Sequence, residues 1–152
     1  MAGRVLKVYL AASMRGGGEG KGWDSLRALA GIVVSLGHTP MNEVCKDRSP
    51  KVKAEGKGDD YLYNRDMAWL RIADCLVAEV TYPSLGVGYE VAVAIREMKI
   101  PVLALCHASL PELSAMFNGN TEPLFHVERY SSSDEMQDAV RRFLRKITKR
   151  GT

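Results

Sequence analysis

Short apolar runs of strand length alternate with longer segments of helical period along this chain, and few topologies satisfy that alternation. Strands are predicted at residues 5–11, 38–41, 75–80, 102–106 and 124–127. Helices are predicted at 23–36, 60–73, 87–99, 110–117 and 133–149, the third stopped by Pro101. Strands and helices of these lengths in alternation imply parallel βαβ units with right-handed crossovers. The expected fold is therefore α/β: a three-layer doubly wound sandwich around a roughly five-stranded parallel sheet, in flavodoxin-like or Rossmann-like order. At 152 residues and 46% hydrophobic content, residues 1–152 suit one domain whose core needs no covalent staples. Residues 43–59 are polar and lysine-rich, punctuated by Pro50, Gly56 and Gly58. A loop that long in a small domain reads as a mobile flap.

Composition excludes several chemistries. Cys45, Cys75 and Cys106 are odd in number and form no Cys-x-x-Cys pair, and His38, His107 and His126 lack metal-ligand spacing. Neither a disulfide framework nor a metal is expected. The stretch Arg15-Gly16-Gly17-Gly18-Glu19-Gly20-Lys21-Gly22 fails the Walker A pattern, lacking glycine at Arg15 and a hydroxyl at Gly22. The dinucleotide pattern fails there and also at Gly86 and Gly88, where Val91 takes the third glycine position, so no cofactor is expected. A net charge of +3 suits an anionic small molecule and falls short of a nucleic-acid surface. The basic residues Arg141, Arg142, Arg145, Lys146, Lys149 and Arg150 read first as a solvated helix face and second as a localisation signal. With no signal peptide and no apolar run near the ~18 residues of a membrane span, the expectation is a cytoplasmic protein, with the nucleus as the alternative.

The stretch Ser84-Leu85-Gly86-Val87-Gly88-Tyr89-Glu90 follows the strand at 75–80 directly. In open α/β sheets the ligand crevice lies beyond such strand ends, and helix N-termini there favour anions, phosphate above all. Glu90 is thus either a presented carboxylate or an acid gaining from the helix dipole. Leu62, Asp66, Trp69 and Ala73 share one helical face, so Asp66 interrupts an apolar stripe. It is either an acid pushed toward protonation by burial or a partner of Arg65. One carboxylate kept ionised by a helix end and one made protonatable would fit the nucleophile and acid of a retaining glycoside-cleaving site. Tyr9 is either a packed strand aromatic or a reach into the crevice. Ser13, Arg15 and Gly16 follow it with a hydroxyl, a guanidinium and backbone N–H groups suited to phosphate.

The residues Tyr9 with Ser13-Met14-Arg15-Gly16-Gly17, Asp66-Met67-Ala68-Trp69-Leu70 with Ala73-Asp74, Ala78-Glu79-Val80-Thr81 with Pro83-Ser84-Leu85-Gly86-Val87-Gly88-Tyr89-Glu90, and Leu113-Ser114-Ala115-Met116 occur in that order. Together they resemble the nucleoside 2-deoxyribosyltransferase superfamily, and within it the Rcl-type 2'-deoxynucleoside 5'-monophosphate N-glycosidases. The resemblance implies Glu90 as nucleophile, Asp66 as the residue that protonates or orients the departing base, and Tyr9 as the residue that holds Glu90 and excludes ribonucleotides. It implies phosphate contacts from Ser13, Arg15, Gly16, Ser84, Gly86 and Gly88, with Met14 in the same motif. It also implies a homodimer in which Ser114 and Met116 reach a shared pocket. Ser84 selects the phosphate-binding branch, because the transferases of free nucleosides carry an acid there. A base-exchanging transferase and a non-catalytic nucleotide sensor are the alternative readings of the same residues.

Overall fold

The computed structural model describes residues 3–14, 21–42 and 56–150. Arg15, Gly16, Cys45 and most of the flap expected at 43–59 lie outside those residues. The elements run β1 (Lys7–Ala12), α1 (Lys21–Ser35), β2 (Thr39–Met41), α2 (Asp59–Ile72), β3 (Cys75–Glu79), α3 (Leu85–Val93), a π-helical turn (Ala94–Met98), β4 (Val102–His107), α4 (Ala115–Asn118), β5 (Phe125–Tyr130) and α5 (Ser133–Arg150). The five strands pair in parallel in the order β2-β1-β3-β4-β5. This is the flavodoxin-like order, and it places the reversal of strand sequence between β1 and β3.

Helices cover both faces of the sheet, which is why its strands read as nearly unbroken apolar runs. Every residue of β3 is buried. Along β1 the side chains alternate: Tyr9 and Ala11 join the core under α2 and α3, while Val8, Leu10 and Ala12 join the core under α1 and α5. Cys75 and Cys106 are buried free thiols, and the burial of Cys75 raises its pKa.

Among the boundaries that differ from the sequence reading, three have a local explanation. α3 starts at Leu85 rather than 87, because the Ser84 side chain accepts from the Val87 N–H and caps the helix. The helix expected at 110–117 shrinks to Ala115–Asn118, since Pro111 disfavours helix before it and offers no N–H. Beyond α3 the backbone loosens into the π turn and ends at Lys99, whose φ of 56° is left-handed and whose N–H returns to the Ala94 carbonyl. At the start of α1, Gly22 is required by packing: a Cβ there would lie 2.1 Å from the Ser13 carbonyl oxygen.

Candidate active site

Tyr9 reaches up from β1 on the side covered by α2 and α3. Its hydroxyl donates to Glu90 Oε1 at 2.7 Å. Glu90 stands on α3 between the buried Val87 and Val91, which turns it toward the sheet. It lies in the second turn, beyond the reach of the helix dipole, with no acidic residue in the first turn. Desolvation raises its pKa from 4.5 to about 7, the Tyr9 hydrogen bond opposes that rise, and the charge of Asp66 adds to it. The Tyr9 phenol is in turn pushed far above its ordinary range, first by burial and then by Glu90 and Asp66.

This corrects the expected division of labour between the two acids. The helix end does not keep Glu90 ionised; burial raises its carboxyl toward protonation. Asp66 does not interrupt a core stripe either. The buried positions of α2 are Met67 and Leu70, continued by Ala73, so the core stripe is turned away from the 62, 66, 69 line and Asp66 flanks it, 27% exposed. Its Oδ1 accepts from Arg65 Nε at 3.0 Å and from Arg65 Nη2 at 2.8 Å. Of the two readings open in the sequence, burial toward protonation and pairing with Arg65, the structure shows the pairing.

The helix start that follows β3 is built for close approach. Ser84 spends an oxygen lone pair on the Val87 N–H at 3.3 Å, leaving its O–H as a donor. Gly88 bonds its N–H to the Ser84 carbonyl, so the N–H groups of Leu85 and Gly86 head the helix. Neither Gly86 nor Gly88 needs its glycine for backbone conformation or neighbouring atoms: a Cβ meets only Ser84 Oγ at 3.8 Å above Gly86, and open space above Gly88. Ser13, buried at the end of β1, donates from Oγ to the Pro83 carbonyl at 3.1 Å and so ties β1 to this loop. Met14 packs on the opposite core, with α1 and α5. Ser114 and Met116 stand across from this helix start, where they and Ser84, Leu85 and Gly88 line a cleft of about 890 Å³. That cleft is on the other side of α3 from Glu90.

The sequence reading gave no role to Glu79, although it closes an apolar strand and is 3% exposed. It accepts from the Thr81 hydroxyl, from the Thr81 N–H at 3.3 Å and from the Tyr130 hydroxyl at 3.0 Å, while the Thr81 hydroxyl oxygen accepts from the His107 N–H at 2.9 Å. This network pins the ends of β3, β4 and β5 beneath the loop that leads to Ser84. A carboxylate inside an apolar run was the available signal. No group of three or more potential metal ligands occurs among the described residues, and none of their helices is long and apolar enough to cross a membrane.

No family model matches the chain. Among curated proteins it is similar to the 5-hydroxymethyl-dUMP N-hydrolase of Mus musculus, with 36% identity over 152 residues covering 95% of this chain and 83% of the relative. The enzyme of the same name from Danio rerio is 31% identical over 147 residues, covering 95% and 99%. A Syntrophotalea carbinolica protein provisionally named 2'-deoxynucleoside 5'-phosphate N-hydrolase 1 is 38% identical over 136 residues, covering 86% and 89%. Among solved structures, the Clostridium botulinum CMP N-glycosidase superposes with a TM-score of 0.64 at 16% identity, covering 90% of this chain and 98% of that one. The 2-deoxyribosyltransferase of Bacillus psychrosaccharolyticus gives 0.62 at 15% identity, covering 87% and 90%, so these two likenesses concern the fold. With identities above 30% over nearly full-length matches, the chain belongs to the 2'-deoxynucleoside 5'-phosphate N-hydrolase family.

Proposed function

We propose that this protein hydrolyses the N-glycosidic bond of 2'-deoxynucleoside 5'-monophosphates to free base and 2-deoxyribose 5-phosphate, through an ester on Glu90. The observation that carries the reading is the 2.7 Å hydrogen bond from Tyr9 to a desolvated Glu90, in the same helical layer as Asp66. In the first step an ionised Glu90 oxygen bonds C1' as the C1'–N pair passes to the base nitrogen, which takes a proton from solvent. In the second, water bonds C1', its proton passes to the Asp66 carboxylate and on to solvent, and the ester C–O pair returns to Glu90. One water is consumed and the proton count closes. The Arg65 contacts favour Asp66 as the group that orients the base over one that protonates it.

Phosphate fits the start of α3, where the Ser84 hydroxyl and the leading N–H groups face outward and the bare Gly86 and Gly88 leave room. Arg15 and Gly16 complete the cradle by family resemblance. Tyr9, locked on Glu90, crowds the C2' side of the sugar and disfavours a 2'-hydroxyl. The protein works as a homodimer in this reading, with Ser114 and Met116 serving the neighbouring site; the apolar cleft they line, with Leu85 97% and Met116 80% exposed, supports it.

Chromatography after incubation with a panel of deoxynucleotides is expected to show base and 2-deoxyribose 5-phosphate, with ribonucleotides untouched and no exchanged nucleotide when a second base is added. Glu90→Gln is expected to lose at least about three orders of magnitude in kcat. No turnover of any deoxynucleotide, or near-normal turnover by Glu90→Gln, overturns the reading.

A further inference from the structure

The site holds two carboxyls, Glu90 and Asp66, whose charges both bear on Tyr9, and the group that opposes them there is Arg65. Arg65 is no surface cation. Its side chain is 13% exposed, its guanidinium lies 4.6 Å from the centroid of the Trp69 ring, and both Nε and Nη2 donate to the same oxygen of Asp66. Stacking on an aromatic face fixes the guanidinium plane, and two charge-assisted bonds from a fixed plane fix the carboxylate. We propose that Arg65 is a positioning residue for this reaction, clamping Asp66 as an oriented carboxylate so that it accepts from the substrate instead of donating a proton to it.

The chemistry follows from that state. A carboxylate held by a cation keeps its charge down to lower pH than a lone one. It serves the first step by accepting from an N–H of the base and the second by accepting the proton of the attacking water. Trp69 supplies the platform and Arg65 the fork, so lysine, a point charge without a plane, does not replace it. This inference rests on the deoxynucleotide reading for its kinetic part, while its structural part stands without it.

The test therefore has two readouts on three proteins: wild type, Arg65→Met, which keeps an apolar stem on Trp69, and Arg65→Lys. Carboxyl-carbon NMR titration is expected to show Asp66 titrating about one pH unit or more higher in Arg65→Met than in wild type. With deoxynucleotide substrate, Arg65→Met is expected to lose about tenfold or more in kcat with KM within about threefold, and to gain a second acidic ionisation in its pH profile. Arg65→Lys is expected to restore the profile but not kcat. Coincident Asp66 titrations in wild type and Arg65→Met overturn the clamp, and so does an Arg65→Met enzyme with wild-type kcat and profile. If wild type cleaves no deoxynucleotide, the functional reading fails by itself and the titration alone decides the clamp. Arg142 on α5, paired with Glu128 of β5 away from the site, provides the control through Arg142→Met, which is expected to leave both readouts unchanged.

Discussion

In the proposed mechanism the proton on Glu90 governs the first step. A carboxyl whose pKa has been raised to about 7 must lose that proton before it can attack, so kcat/KM is expected to climb with pH and level off above about pH 7. The same shift carries a stability cost of known sign. Between pH 4.5 and about 7 the folded chain holds a proton at Glu90 that the unfolded chain has released, so stability falls as pH rises through that window. The cost at pH 8 is about 3 kcal/mol, and Glu90→Gln, uncharged throughout, is expected to melt above wild type at pH 8 and level with it near pH 4. A clamped Asp66 adds a leaving-group expectation. If no acid meets the departing nitrogen, deoxyuridylates with more electron-withdrawing 5-substituents should react faster, read as a negative slope of log kcat/KM against the pKa of the base. The contact between Tyr9 and Glu90 was legible through the family resemblance of their motifs. The state of Asp66 was not, because a rotation of the buried stripe by one position on α2 moves it from the core to its margin, and residue spacing does not fix that rotation.

At the scale of the element, the loop from β3 into α3 performs two tasks with one side chain. Ser84 ends the run of extended backbone and caps the helix through its oxygen, which leaves its O–H able to donate. Aspartate caps as well as serine but brings a negative charge, so Ser84→Asp is expected to keep the melting temperature within a few degrees while raising KM for deoxynucleotides about tenfold or more. Equal KM values would remove Ser84 from the phosphate site. Gly22→Ala is expected to destabilise the protein measurably by thermal melting, since a Cβ would overlap the Ser13 carbonyl and the end of β1 would have to move. The strands and long helices were legible because burial on both sheet faces writes apolar runs directly into the chain. The bounds of the short helix before β5 were not, since a four-residue helix has too few turns to write a period, and Leu110 and Leu113 on either side of Pro111 pack against the core without it.

At the scale of the molecule, the two covers of the sheet have separate duties. α2 and α3 hold Asp66 and Glu90 over Tyr9, while α1 and α5 bury the opposite face. The cleft beside α3 exposes Leu85 and Met116 as a second copy would require. Leu85→Arg is expected to shift sedimentation from dimer to monomer and to lower turnover with it; a fully active monomer would count against the shared pocket. Family and fold were legible from motif order and alternation, whereas the Glu79 network was not, because it joins Glu79 and Thr81 to His107 and Tyr130, on two strands far along the chain.

The helical cover built from α1 and α5 offers a practical handle. Arg145 and Lys146 are exposed on α5, a full layer from Tyr9 and Glu90. Dyes, resins or fused partners attached there would ride on the protein's blind side, and substitutions that preserve apolar volume beneath them would leave its chemistry untouched.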